Sequence, residues 1–439
     1  MRKKPIFDLV KRYYEENHAR PKFVPGKTLI HYAGRHYDAG EMVNLVDSAL
    51  EFRLTAGRFA ERMERALADF FGAEEALLVN SGSSANLLMV ATACQSGEAD
   101  ALRPGDEILT PAATFPTTLA PILQNGLVPV LLDVEPGTYN INPDLIEPAA
   151  TPRTRGLLVP HTLGNPCDMD RLVELCAKHG WVLLEDCCDA LGSEFNGKRV
   201  GTFGAMASLS FYPAHHITMG EGGAVVLNDE RLSRPANSIR DWGRDCWCIP
   251  GVSNTCGKRF GWEFEDLPGG YDHKYVFSRI GYNLKVTDMQ AAVGLAQLAK
   301  AGDFIERRRR NFRRLYEGLR GLTEYLVLPE WSPKANPSWF AFPLTLREGL
   351  ERGPLIAFLE GRKIETRLLF AGNAARQPAF RGEPIRVPFP LEVSDAVLER
   401  SFFVGVFPGL TDPMLDYMIE SIHDHFTDPP VRSAGGRSG

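Results

Sequence analysis

The eight cysteines of this 439-residue chain are unevenly spread. Cys246, Cys248 and Cys256 crowd into one short stretch, and Cys188 precedes them at the spacing C-x57-C-x-C-x7-C. Four thiolates can bind zinc or an iron–sulfur cluster. Spacing alone does not choose, although zinc sites usually open with roughly two to four residues between the first pair, and one residue is tight. Cys187 competes with Cys188 for the fourth position, because adjacent strand residues face opposite sides. Cys94, Cys167 and Cys176 stand apart and read as core thiols. A second reactive group runs from Ser210 through Tyr212, His215 and His216 to Glu221, Gly222 and Gly223. A histidine titrates near neutrality, where a base is both available and strong enough to move protons. Ser210 offers a hydroxyl to a phosphate, and His216 reads as a structural neighbour of the base.

These groups need a scaffold. Residues 76–79, 107–110, 128–133, 155–160 and 181–186 read as strands alternating with helical patterns. That alternation implies a mostly parallel sheet covered on both faces. Ligands in such sheets sit at the carboxyl ends of the strands, and three candidates fall there. Ser81, Gly82, Ser83 and Ser84 follow the first strand and open a helix that is clear from about Asn86; amides and dipole there favour phosphate. Standing alone, such a turn more often only caps its helix. Phe115 offers a ring face for stacking. Asp186 ends a strand after Glu185, where a carboxylate can pair with the nitrogen of a phosphopyridine and keep it protonated. An isolated aspartate there more often caps a helix. Together with Ser210, these pieces are far more specific than any one of them.

Residues 1–50 read as a polar helical segment ending in a turn near 35–40, 51–300 as a large cofactor-binding domain, and 301–426 as a smaller domain. Residues 427–439 are rich in Pro, Gly, Ser and Arg and are expected to be disordered. The stretch 240–280 breaks the periodicity; a loop that long is usually functional or disordered, and its aromatic residues argue for order. Helical periodicity returns over 286–320, and no internal repeat is present. The chain is 44% hydrophobic and 24% charged, ordinary for a soluble globular protein. A net charge of -6 gives no reason to expect nucleic acid or an anionic membrane as partner. No apolar run is long enough to span a bilayer, and the basic start lacks the features of a signal peptide. The expected location is the cytoplasm, where disulfides are rare.

The run 210–227, with a basic position five residues after a serine and then Gly/Glu/Gly/Gly, resembles the cofactor loop of the DegT/DnrJ/EryC1/StrS family of sugar aminotransferases, which depend on pyridoxal phosphate (PLP). The resemblance covers roughly residues 50–420 and includes Gly281, Asn283, Asp288 and Gln290. It implies an aspartate-aminotransferase-like α/β architecture (fold type I PLP), with a mostly parallel sheet in the large domain and a smaller α+β C-terminal domain. In that family the basic residue is a lysine that forms an imine with PLP. His215 cannot form it, because its ring nitrogens cannot give a neutral C=N product. The cofactor is then free to work as its amine, pyridoxamine phosphate (PMP). The resemblance implies that Gly82, Ser83, Ser84, Phe115, Asp186, Asp189, Ser210 and Tyr212 meet the cofactor. Asp189 stands where many family aminotransferases carry glutamine. Asn283 is implied to reach the phosphate held by the neighbouring subunit of a homodimer.

Within the family, the runs 215–221, 240–248 and 270–275 and the cysteine spacing look like the PMP- and [2Fe-2S]-dependent nucleotide-sugar 3-dehydrases typified by CDP-4-keto-6-deoxyglucose 3-dehydrase. That likeness selects Cys188 over Cys187 and implies Cys188, Cys246, Cys248 and Cys256 as cluster ligands. It implies loss of the C3 hydroxyl from a nucleotide-linked 4-keto-6-deoxyhexose, CDP- or dTDP-linked, with dTDP-4-keto-2,6-dideoxyglucose one candidate. His215 is then the base, and an external flavin/iron–sulfur reductase or ferredoxin system refills the cluster. Substrate contacts are implied at Arg367, Gly372 and Asn373, with Arg58 a weaker candidate. A cluster-free 3-dehydratase recycled by glutamate explains His215 equally well but leaves four cysteines without a purpose. A sugar aminotransferase needs a lysine elsewhere, and the nearest later one, Lys258, is out of register. A non-enzymatic scaffold with structural zinc leaves Asp186 and Ser210 unexplained.

Overall fold

The computed structural model describes residues 3–18, 22–246, 248, 254–255 and 257–427. Cys256 and the terminus from 428 lie outside them, and with the terminus the expectation of disorder there. Five strands come first: β1 Glu75–Val79, β2 Glu107–Pro111, β3 Val128–Leu132, β4 Thr154–Pro160 and β5 Val182–Asp186. A short hairpin follows, β6 Glu194–Phe195 and β7 Lys198–Arg199, then β8 Met206–Ser210 and β9 Gly223–Leu227. Seven of these make one sheet in the order β1-β9-β8-β5-β4-β2-β3. Six run the same way and β9 is reversed. The strands are near-continuous runs of Val, Leu, Ile and Ala because apolar clusters cover both faces of the sheet.

Register gathers the functional ends on one edge. Val79 and Ser210 both pair with Gly223, and Pro160 pairs with Asp186. The helix after β1 spans Gly82–Cys94 and starts earlier than its periodicity suggests. Ser81 caps it by accepting the Ser84 amide at 3.0 Å, so the Gly/Ser turn forms the first helical turn. The turn near 35–40 begins a helix instead of ending one: Asp38 and Glu41 form a capping box on Ala39–Glu51.

The smaller unit holds β10 Leu326–Val327, β11 Ala335–Asn336, β12 Ala341–Leu346, β13 Arg367–Leu368 and β14 Ser401–Gly405. Four of them form an antiparallel sheet in the order β10-β12-β14-β13. β11 pairs with β6, tying this region to the large unit. The helix Ala301–Leu319 crosses the junction: Phe304 and Ile305 enter the large core, Phe312 and Leu315 the small one. A fourth apolar cluster, including Leu163, Phe340, Leu369 and Phe403, packs between the two. No described helix is long and apolar enough to cross a membrane.

Candidate functional site

A cavity of about 510 Å³ opens where β1, β5 and β8 end and β9 begins, a size suited to a cofactor or small ligand. On one wall the helix Gly82–Cys94 presents its amino end. Ser81 takes the Ser84 amide, which leaves the first amides of the helix without an intrahelical acceptor. Ser83 donates its hydroxyl to Thr117 at 3.0 Å. A Cβ on Gly82 would stand 2.5 Å from Ser210 Cβ and 3.0 Å from Cys188 Sγ. Only glycine lets the helix start approach the end of β8 this closely. Phe115 faces the cavity half exposed.

Asp186 is buried at the cavity floor. Asn86 Nδ2 and Thr118 Oγ1 donate to its Oδ2 at 2.8 and 2.7 Å. The Cys188 amide and Ser208 hydroxyl donate to Oδ1 at 3.1 and 3.2 Å. Two donors on each oxygen fix the plane of the carboxylate. Asn86 and Thr118 were not singled out from the sequence; a polar residue within the otherwise buried face of an apolar helix was the available signal.

His215 sits in the loop joining β8 to β9, on the cavity wall. Its Nδ1 is 3.3 Å from Asp189 Oδ1, an ion-pair distance without good hydrogen-bond alignment. The Phe340 ring packs against it at 5.3 Å between centroids, and the His215 amide donates to the Tyr212 carbonyl at 2.9 Å. Behind the loop lies Arg308, fully buried. Its guanidinium donates to the carbonyls of Trp339, Phe340 and His215 at 3.2, 2.9 and 3.0 Å. Burial pulls this guanidinium down to about 9, with Asp189 opposing, so it remains a cation at neutral pH. Nothing in the sequence distinguishes it from its neighbours Arg307, Arg309 and Arg310. His216 is buried as a structural neighbour and donates from Nε2 to the Ser338 carbonyl at 2.8 Å.

His161 also lines the cavity. Its Nδ1 accepts the Cys167 amide at 3.1 Å, so its proton is on Nε2, which donates to Glu185 Oε2 at 3.1 Å. Glu185 accepts three more bonds, from the amides of Gly201, Phe203 and Gly204. His161, Glu185 and Cys187 lie within ligand distance of one another. Both ring nitrogens of His161 are engaged, Nδ1 by the Cys167 amide and Nε2 by Glu185, so the group is a hydrogen-bonded polar knot.

Cys187 points into this knot and Cys188 into the cavity. Burial, and then the charges of Asp186 and Asp189, push the Cys188 thiol up. Cys246 and Cys248 line a different cavity, together with Arg58. There the Cys248 amide donates to Cys246 Sγ at 3.5 Å. Arg58 pairs with Asp47 and Glu51 at 2.6 and 2.8 Å and is not brought to the site. Arg367 does line the site, stacked 4.2 Å from the Tyr32 ring centroid. Asn373, expected at the substrate, is instead buried: it caps the following turn and donates to Asp395 at 2.8 Å. Gly372, expected beside it, has a left-handed φ of 64° and packs against Leu398. Asn283 is exposed and outside the cavity of its own chain. Ser84 serves the cap.

Asp186, His215 and Ser210 thus meet at one end of a sheet whose reversed strand carries the loop of the base. The chain belongs to the DegT/DnrJ/EryC1/StrS aminotransferase family. The family model matches residues 37–423. The chain is 53% identical over 421 residues to the dTDP-4-dehydro-2,6-dideoxy-D-glucose 3-dehydratase of Saccharopolyspora spinosa, covering 95% of this chain and 90% of that one. It is 48% identical to the lipopolysaccharide biosynthesis protein RfbH of Salmonella typhimurium, covering 96% and 97%. Its fold matches the E. coli GDP-4-keto-6-deoxy-D-mannose-3-dehydratase solved with hydrated PLP, at TM-score 0.81 and 28% identity, over 90% and 99% of the two chains. The architecture is that of fold type I PLP enzymes, and the family's relatives are nucleotide-sugar 3-dehydratases and aminotransferases.

Proposed function

We propose that this chain removes the C3 hydroxyl of a nucleotide-linked 4-keto-6-deoxyhexose, with PMP and a [2Fe-2S] cluster as its resident groups. Position 215 carries the reading. Histidine stands there, and no lysine is among the described residues that line the cavity. The donors fit a phosphopyridine: helix amides at Gly82 and Ser83 and the Ser210 hydroxyl for phosphate, Phe115 for the ring face, Asp186 for the ring nitrogen. When bound, PMP supplies an amine for the C4 ketone and a ring that accepts electrons, and the cluster supplies electrons singly.

His215 moves the proton. Asp189, 3.3 Å from Nδ1, favours the tautomer with its proton there, leaving Nε2 as the basic nitrogen. Arg367 at the cavity mouth offers a guanidinium to a diphosphate. Phe370 and Phe403 limit water. The amide on Cys246 Sγ is the kind of contact that stabilises thiolate charge at an iron–sulfur centre. The name of the 53% identical relative supports a dTDP-linked, C2-deoxygenated sugar over a CDP-linked one. A homodimer, with Asn283 reaching the cofactor phosphate of the partner, and an electron-donating reductase complete the proposal.

The cluster-free reading, with glutamate regenerating PMP, is favoured by one observation: Cys188 opens into a different cavity from Cys246 and Cys248. Iron and sulfide content and the visible spectrum of anaerobically purified protein separate the two. Iron-free protein that turns over with glutamate alone would sink the cluster. His215→Asn should lose on the order of 10²–10⁴ in kcat while keeping PMP bound; retained turnover would move the base elsewhere.

A further inference from the structure

Cys188 lies against the amino end of the helix Gly82–Cys94, where a Cβ on Gly82 would touch its sulfur at 3.0 Å. The segment carrying Cys246 is fastened at the other end of the same helix. Gln95, just past that end, exchanges two hydrogen bonds with the backbone of Ile280 and accepts Arg279 Nε at 3.1 Å. The stretch 276–280 is in turn laced to 243–245. Ser278 donates its amide to Gly243, Asp245 donates its amide to Val276, and Ser278 Oγ donates to Asp245 Oδ1 at 3.2 Å. Asp245 shares a surface cavity with Cys94 and Gln95.

The helix has 13 residues, which at ~1.5 Å per residue puts its ends about 18 Å apart. Cys246 is one residue beyond Asp245, a step of about 3.8 Å at most. Within one chain Cys188 and the segment carrying Cys246 therefore belong to opposite ends of a helix about 18 Å long and open into different cavities. A dinuclear centre holds all its thiolates in one site, so the described cysteines of one chain do not fit a single cluster.

A second copy resolves the conflict. The Cys246 segment is flanked by exposed apolar side chains: Trp242, Tyr275, Phe277 and Ile280 are 43%, 57%, 53% and 80% exposed. Exposed large apolar side chains gathered on two paired stretches are the kind of surface that an interface covers. Asn283, on the same stretch, is exposed and outside its own cavity. In a two-fold dimer each face meets its own copy, so what one chain presents outward serves the other's site. We infer that the cluster site is composite, with Cys188 of one protomer joined by Cys246 and Cys248 of the partner subunit. The inference rests on the cluster reading above.

Mixed dimers test it. Cys188→Ser and Cys248→Ser chains, carrying different tags, are co-expressed, and doubly tagged dimers are purified anaerobically. Iron, sulfide and visible absorbance are then read per dimer, and PMP binding by each variant reports folding. Each single-variant homodimer should lose the cluster. The mixed dimer should regain about half of the wild-type iron, because one of its two sites is intact. An iron-free mixed dimer would place all ligands in one chain and overturn the composite site. So would absence of mixed dimers or full iron in Cys188→Ser. Wild-type protein without iron would refute the cluster reading itself, and the composite site with it. Pairing Cys188→Ser with Cys246→Ser repeats the test should Cys248→Ser fail to fold.

Discussion

The pair His215 and Asp189 is the smallest unit on which the proposed chemistry turns. A carboxylate beside Nδ1 favours one tautomer of the ring. An amide in its place accepts or donates equally well and loses that selection. Asp189→Asn should therefore lower kcat by on the order of 10², with PMP affinity unchanged in an absorbance titration. An unchanged kcat would leave Asp189 a bystander. His215 and Asp186 could be singled out in the sequence, one in a short motif and one at a strand end, whereas Asp189 entered through the family resemblance, as a departure from its glutamine. Asn86 and Thr118 could not be, because their role depends on two helices converging over one carboxylate. Asn373 misled, since a polar residue in a loop of the small unit is as well suited to capping a turn as to touching a ligand.

At the scale of elements, one buried cation adds to the junction between the two units. Arg308 reaches from the long helix Ala301–Leu319 to carbonyls on both sides, that of His215 in the large unit and those of Trp339 and Phe340 before β12. Among the described residues no carboxylate lies within hydrogen-bonding distance of it; the carbonyls engage Nη1 and Nη2, while Nε has no hydrogen-bond partner there. Arg308→Met should strand these acceptors and destabilise the chain by about 1–3 kcal/mol or more. Arg308→Lys, with a point charge in place of a fork, should fall between. Denaturant unfolding measures both, and a change below about 0.5 kcal/mol would show that water or neighbours replace the guanidinium. Five of the seven strands of the large sheet were readable from periodicity. Arg308 was hidden in a run of four arginines that reads as a solvated stripe, and only the crossing of the helix over the junction buries one of the four.

For the whole molecule, acid stability carries the imprint of His216. Burial, followed by the charge of Arg308, holds this imidazole well below its usual range. The unfolded chain takes up a proton below about pH 6.5 that the folded chain refuses. Stability from this group is thus fully present above that pH and falls as the pH drops, by at most about 1.4 kcal/mol per unit. The midpoint of thermal unfolding should decline from pH 7 to pH 5. His216→Gln, which keeps a donor for the Ser338 carbonyl, should flatten the decline; an unaltered slope would assign it to other groups. The hairpin from β8 to β9 has a consequence for descent as well as for chemistry. Its ends are pinned by the ladder pairing of Ser210 with Gly223, and its middle by Arg308 on the carbonyl of residue 215. Those anchors are main-chain atoms, blind to the side chain that residue 215 bears. A lineage built on this hairpin can exchange one reaction for another at that position while its folding stays untouched, so relatives with closely matching architecture are free to diverge in what they make.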